Sequence, residues 1–361
     1  MLKKLFKIIL FILIAVLLVA IGYVGYIMIS YDRIDDKVLL EVENNDKAAS
    51  SEAKLNHTYT IVTQNIGFGA YSQDYTFFMD GGKESWARSE ESVHDLINQA
   101  TTEVLSFNPD FMLIQEVDLD STRSYHINEL DLLKEKFSNY CNVLANNYHS
   151  AFLMYPLTKP HGASNSGIAT FSNIKITSSL RRSLPISTSF SKFLDLDRCY
   201  SITRIPVENG KELVLFNVHL SAYGGSDEIR RGQTTMLFSD MQAEFENGNY
   251  VVCGGDFNHD FTGDSTQKLN GGDMTDFGWA QPFPIEILNE YPGLVRCTNY
   301  NNGEIKPTCR NCDVPYIEGN FTIIVDGFIV STNVEVTSLE NIVTGFVYSD
   351  HNPVVMKFIL K

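Results

Sequence analysis

The stretch Val251-Val252-Cys253-Gly254-Gly255-Asp256-Phe257-Asn258 ends an apolar run in two glycines, a carboxylate and a carboxamide. A buried strand that stops there and turns through glycine-permissive backbone leaves Asp256 and Asn258 at its mouth. If the extended conformation continues, period-2 alternation points both side chains the same way. A charged acceptor beside a neutral donor and acceptor suits holding a water against a phosphorus. The same pair also suits a turn that only caps backbone groups. Residues of matching type recur at or near the ends of other apolar runs: Asn65, Glu116, His219, Asp326, and Asp350 with His351. Any one of these has an ordinary structural explanation, but the set fits a single task. Glu116 and Asp350 offer hard oxygen ligands for Mg2+, which prefers carboxylate plus substrate phosphate, with Mn2+ as a substitute. No cluster of His or Cys points to zinc.

Tyr59 to Ile66 alternates and is β-rich, the pattern of a strand. Gly67 to Gly82 is a Gly- and aromatic-rich loop, and its Phe68-to-Phe78 aromatics are read as packing. Val93, Leu96, Ile97, Ala100, Val104 and Leu105 recur at helical spacing, and Asn108-Pro109 stops that helix. Phe111 to Glu116 is a short buried strand ending in an acid. Shorter strands are expected around Phe152 to Tyr155, Gly167 to Phe171 and Tyr200 to Val207. Leu213 to His219 is apolar until its polar end. Asp227 to Phe245 reads as a helix, followed by a strand over 250–255. Phe261 to Gly319 is a long Gly/Pro/Asn-rich excursion, of a length that in compact domains is functional or disordered. Phe321 to Val330 reads as one strand with Asp326 in its middle, and Val354 to Leu360 as the last.

The chain has 361 residues, 44% hydrophobic and 12% aromatic, enough for a large core. Its net charge is −16, and since the first 30 residues hold three lysines and no acids, the remainder carries 25 − 44 = −19. That surface offers no basic patch to a polyanion, although a divalent cation would invert the local field. Residues 1–7 carry Lys3, Lys4 and Lys7, and residues 8–30 run without a charge, long enough to cross a hydrocarbon core as a helix. Lysines before the span and Asp32, Asp35 and Asp36 after it place 1–7 in the cytoplasm and the large domain outside the cell membrane. A cleaved signal peptide is the rival, with a small-residue site at Ala20-Ile21-Gly22; the apolar run continues past it, which favours a retained anchor. Residues 31–57 are polar and read as a tether, and 58–361 as one domain. Cys253 reads as a buried thiol. Cys297, Cys309 and Cys312 cluster without a neighbouring histidine, which favours a local disulfide over a zinc site.

Taken in order, Gln64-Asn65, Gln115-Glu116-Val117, Asn217-Val218-His219-Leu220, Gly255-Asp256-Phe257-Asn258, Val325-Asp326-Gly327 and Ser349-Asp350-His351 resemble the endonuclease/exonuclease/phosphatase superfamily. The resemblance covers 58–361. It implies an α/β fold, a four-layer sandwich of two packed mixed β-sheets flanked by helices, with the site at one end. It implies Glu116 as the metal-ligating glutamate, with Asn65 beside it. Asp256 and Asn258 match the pair that activates and orients the attacking water and contacts phosphate. His351 matches the histidine that stabilises the transition state, oriented by Asp326, and His219 the second histidine of the DNase-like and sphingomyelinase-like branches. In one departure, Asp326 is followed by Gly327 where the family often has Tyr or His, which leaves more space near the site. Arg310, in the long excursion, is a candidate for a substrate phosphate; the alternative is a solvated loop arginine.

The function expected is therefore Mg2+-dependent hydrolysis of a phosphate ester outside the membrane, by in-line attack of water. A phospholipid head group, a small ester or a nucleic acid would be the partner, and the membrane is engaged through the N-terminal helix; no protein partner is expected. The acidic exterior favours the first two substrates over an anchored nuclease. An inactive surface-binding protein is disfavoured because every acid, amide and histidine that the chemistry needs is present.

Overall fold

The computed structural model describes residues 2–222, 227–271, 279 and 281–361, so Met1, residues 223–226 and part of the long excursion lie outside the described residues. In chain order the elements begin with helix α1 (Leu2–Ser30), strands β1 (Val38–Leu39) and β2 (Thr58–Asn65), helix α2 (Glu90–Ser106), strand β3 (Phe111–Asp118) and helix α3 (Glu129–Lys136). Strands β4 (Cys141–His149), β5 (Asn165–Ser172), β6 (Ser178–Ser183), β7 (Cys199–Pro206) and β8 (Glu212–His219) follow, then helix α4 (Asp227–Glu246) and strand β9 (Tyr250–Asp256). Short helices α5 (Ser265–Leu269) and α6 (Ile285–Leu288) precede β10 (Leu294–Cys297), β11 (Cys309–Arg310), β12 (Thr322–Ile323), β13 (Asp326–Ser331), β14 (Val334–Asn341) and β15 (Val354–Leu360).

The strands form two mixed sheets, ordered β1-β6-β7-β8-β9-β13-β10 and β14-β15-β2-β3-β5-β4, with β11-β12 as a separate ribbon. Alternation along β2 and β3 sends Ile61, Phe111 and Leu113 to the core between the sheets, and Val62, Met112 and Ile114 to a second core under α2 and α3. On the far side, α4 packs Leu237, Phe238 and Met241 against the first sheet. Helix α2 carries the expected apolar face, and it starts at Glu90 because Ser89 caps it in a reciprocal box with Ser92 and two glutamates occupy its first turn. These four layers are the architecture that the resemblance implied. Ahead of them, α1 is the one helix among the described residues long and apolar enough to cross a membrane.

Several local expectations fail for physical reasons. Residues 31–57 do not hang free: β1 pairs with β6, Glu43 bridges Asn142, and Leu40, Val42 and Ala48 pack on Cys141, Val143 and Ile176. A segment with few apolar residues can dock this way because an open sheet edge supplies backbone partners. Phe152 to Tyr155 makes no strand, only an isolated bridge from Leu153 to Gly162. Phe321 to Val330 is broken after Ile323, so that Asp326 opens β13 instead of sitting mid-strand. Cys297, Cys309 and Cys312 form no disulfide. All three are free buried thiols, Cys309 facing the Arg310 carbonyl and Cys312 the Asp350 carboxylate.

Candidate active site

Register builds half of the site. Parallel pairing of β8 with β9 sets His219 opposite Asp256, and antiparallel pairing of β9 with β13 sets Asp256 opposite Asp326. Three strand ends thus present His219, Asp256 and Asp326 in one row. The glycines before Asp256 make this possible, though not by turning the chain. Both lie within β9; a Cβ on Gly254 would meet the Phe328 ring at 2.4 Å, and one on Gly255, at φ +143°, would meet the Val218 carbonyl oxygen at 2.1 Å. They let the neighbouring strands β8 and β13 approach. The extended conformation then stops. Asn258 adopts φ +51°, its backbone N–H donates to Asp256 Oδ1 at 2.9 Å, and its side-chain amide donates to the Leu220 carbonyl at 2.8 Å. The alternation expected across Asp256 and Asn258 is therefore replaced by a left-handed turn that fixes one oxygen of Asp256.

The other sheet contributes Asn65 and Glu116. The β3–β5 register shifts between Ile114 and Val117, so Gln115 and Glu116 together face Ile168 in a β-bulge, with Glu116 at φ +57°. An acid held in left-handed backbone inside a strand is strained, and here the bulge puts its carboxylate beside Asn65. The Asn65 side-chain amide donates to Glu116 Oε1 at 3.1 Å and to Asp256 Oδ2 at 3.2 Å, joining the two sheets. Beneath it, Gln115 donates to Asn217 Oδ1 at 2.7 Å across the same interface. His351 closes the ring, with Nδ1 2.8 Å from Asp326 Oδ2 and Nε2 3.8 Å from Asp256 Oδ2. His219 Nε2 lies 3.6 Å from Asp256 Oδ2 and 3.9 Å from Glu116 Oε1.

Burial sets the protonation pattern. It raises the Asp256 carboxyl to about 7, against the pull of His351 and with a further push from Asp326. Burial likewise raises Glu116, partly offset by Arg123 and reinforced by Asp350. Burial alone would neutralise His351, but Asp326, Cys309, Asp350 and Asp256 outweigh it and hold the imidazole well above its usual value, hence cationic. His219 goes the other way: burial, then Arg198, His351 and Arg123, keep it neutral. One histidine is thus charged and one neutral, about a single carboxylate.

The donors fit a hard divalent cation. Glu116 and Asp256 share one amide donor, Asp256 is buried and Glu116 half-buried, and both resist ionisation, a tension that a dication among oxygen ligands would relieve. Asp256, Asp326 and His351 also bring ligand-type atoms within 4.8 Å of one another. There, however, the cationic imidazole is hydrogen-bonded to Asp326 at 2.8 Å and lies within ion-pair distance of Asp256 at 3.8 Å, which already offsets the charge.

Asp350 lines the same cavity, with Oδ2 3.8 Å from Cys312 Sγ and Oδ1 3.4 Å from Ser349 Oγ. Arg310 is not a solvated loop arginine. It is buried, donates to the Ser72 and Tyr75 carbonyls, and leaves Nε without a partner while lining the cavity. Nor does Gly327 leave open space: a Cβ there would meet the Tyr300 hydroxyl at 2.4 Å and the Phe261 ring at 2.5 Å. The residue pattern did not single out Arg123 or Arg198. Arg123 forms a bidentate pair with Asp118 and stacks 3.8 Å over Phe68; Arg198, with Nε unpaired, reaches the His219 carbonyl at 3.5 Å. Both line the cavity. Their only signal was a charge flanking a strand, which many surface residues share.

With this geometry in place, the family model that matches the sequence, over residues 62–351, is that of the Endonuclease/Exonuclease/phosphatase family. The chain belongs to this family. Enzymes of the family are metal-dependent hydrolases of phosphoric ester bonds, and this chain is one of them. Solved structures share its fold. An endonuclease/exonuclease/phosphatase from Beutenbergia cavernae matches with TM-score 0.55 and 16% identity, over 84% of this chain and 72% of that one. The human Nocturnin catalytic domain with bound sulfate anion matches with TM-score 0.53 and 18% identity, over 84% and 95%. A family protein from Leptotrichia buccalis matches with TM-score 0.54 and 15% identity, over 83% and 99%. No curated protein matches the chain in sequence.

Proposed function

We propose that this enzyme is a Mg2+-dependent phosphoesterase that hydrolyses a phosphate ester outside the membrane by in-line attack of water. The observation that carries the reading is the convergence of Glu116, His219, Asp256 and His351 on one cavity, with Asn65 and Asp326 bonded to them from behind and with one histidine cationic and the other neutral. Glu116, with Asn65 beside it and Asp350 on the rim, would hold the cation; when bound, it supplies positive charge to the non-bridging phosphate oxygens. Asp256, oriented by Asn258, accepts a proton from the attacking water. The water oxygen joins phosphorus as one ester P–O bond breaks; the departing oxygen takes a proton from solvent, and Asp256 later returns to solvent the proton it took from the water. His351, held cationic by Asp326, stabilises charge on the phosphoryl group as it develops. Neutral His219, 3.6 Å from Asp256, can donate a hydrogen bond from its ring N–H to the departing oxygen but not a proton. Arg310 and Arg198 line the same cavity and add positive charge to its wall.

The test is turnover by the full chain of a panel of phosphomonoesters, phosphodiesters, phospholipids, DNA and RNA, with Mg2+ and with chelator. His351→Ala and Asp256→Ala should each lower the rate on the order of two to four orders of magnitude with the fold retained. Chelator-resistant turnover, or near-wild-type rates in either variant, would refute the mechanism. Protease shaving of intact cells checks orientation, since a protected catalytic domain contradicts the outside placement.

A further inference from the structure

The cavity that holds the site has an apolar mouth. Its volume is about 790 Å3, and it runs from Glu116, Asp256 and His351 to Tyr23, Val24 and Ile27, which belong to α1, read here as a membrane span. With Lys7 at the inner membrane surface and a rise of 1.5 Å per residue, Tyr23 and Tyr26 fall about 24 and about 28 Å further on, where the outer interface of a ~30 Å hydrocarbon core lies. Tyrosines belong at that depth. Here they also fix the catalytic domain to it. Tyr23 donates its hydroxyl to the Phe152 carbonyl at 3.1 Å and accepts from the Met154 N–H at 2.9 Å, and Tyr26 accepts from the Phe152 N–H at 3.1 Å.

The segment pinned in this way is apolar and exposed. Met154 is 44% exposed, Tyr155 70% and Leu157 82%, and across the cavity mouth Met79, Phe190 and Leu194 are 57%, 47% and 42% exposed. All six line the cavity. A continuous apolar rim of this kind is costly in water and marks a surface meant for a partner. A soluble ester or a polynucleotide would gain nothing from it, and the exterior charge of −19 repels the latter. An amphiphile matches both ends at once.

We infer that the substrate is a phosphate ester of a membrane lipid, drawn head-first from the outer leaflet while its hydrocarbon chains stay between the α1 face and the lip. This rests on the phosphoesterase reading above and assigns its substrate class. The polar groups at the floor receive the head group. The Met154–Leu157 and Phe190–Leu194 lips sit among the upper acyl carbons and set the depth from which it is taken.

The test uses the full chain in phosphatidylcholine vesicles. A Leu157→Trp variant should be quenched by lipids brominated high on the acyl chain more than the parent, whose tryptophans are Trp86 and Trp279; quenching no greater than the parent's would overturn the inference whatever the activity. In parallel, turnover of phospholipids carried in those vesicles is set against bis(p-nitrophenyl) phosphate and plasmid DNA. A Met154→Asp/Leu157→Asp double variant should lower the lipid-to-soluble turnover ratio on the order of tenfold or more, the effect of one or two buried apolar side chains. Turnover of soluble ester or DNA above that of every vesicle lipid, or an unchanged ratio, would sink this inference alone. Silence toward every ester would take the phosphoesterase reading down with it.

Discussion

Nδ1 of His351 lies 2.8 Å from Oδ2 of Asp326, and both side chains are buried. That pairing keeps the imidazole charged in a site whose burial would otherwise discharge it. Asp326→Asn preserves the shape and removes the anion. The rate should fall on the order of a hundredfold or more, and the alkaline limb of the kcat/KM profile should move to lower pH, because a cation required for turnover is then lost earlier. Equal loss at every pH, with no movement of that limb, would mean that Asp326 serves only to position the ring.

Glu116 reaches the site because β3 bulges there, holding it at φ +57°. Glu116→Gln keeps the bulge and the Asn65 contact but halves the charge available to a cation. Calorimetric titration with Mn2+, without substrate, should show affinity weakened on the order of tenfold to a hundredfold. Undiminished binding would move the metal elsewhere.

Gly255 sits where β8 and β9 pass close enough to align His219 with Asp256. A methyl group would lie 2.1 Å from the Val218 carbonyl oxygen, so Gly255→Ala should cost about 3 kcal/mol or more in urea unfolding. Gly210→Ala, also at positive φ but with nothing within 4 Å, should cost only about 1 kcal/mol of backbone strain. Similar losses in the two would show that close approach is not what selects glycine at 255.

How much of this was legible in sequence depends on whether the signal was local. Asn65, Glu116, His219, Asp256, Asp326 and His351 stood out because each follows or opens an apolar run, and strand ends are where a sandwich concentrates chemistry. The glycines at 254 and 255 were visible too, but their reason was not: a turn is a property of the chain itself, whereas Phe328 and Val218 come from other strands. Gly327 was misjudged in the same way, since Tyr300 and Phe261 arrive from the excursion. The bulge at Glu116 depends on a partner strand and leaves no local mark. Residues 152–155 looked like a strand because they are apolar; their exposure follows from where α1 stands, which no periodicity encodes.

Asp256 links the site to stability. Its carboxyl is raised by burial to about 7 in the metal-free fold. An acid raised in this way binds more protons folded than unfolded between pH about 4 and about 7, so stability falls as pH rises through that window. Asp256→Asn lacks the effect, so its stability relative to the parent should improve from pH about 4 to about 7 and level off above. Urea midpoints of the two proteins in chelator, taken at steps across this range, measure it. Mg2+ held at Glu116 would favour the ionised form of the neighbouring Asp256, so adding it should stabilise the parent more at pH 8 than at pH 5 and shrink the difference between the proteins. A difference that does not vary with pH would show that Asp256 is already ionised in the folded site, with His351 and Asn65 alone offsetting its burial.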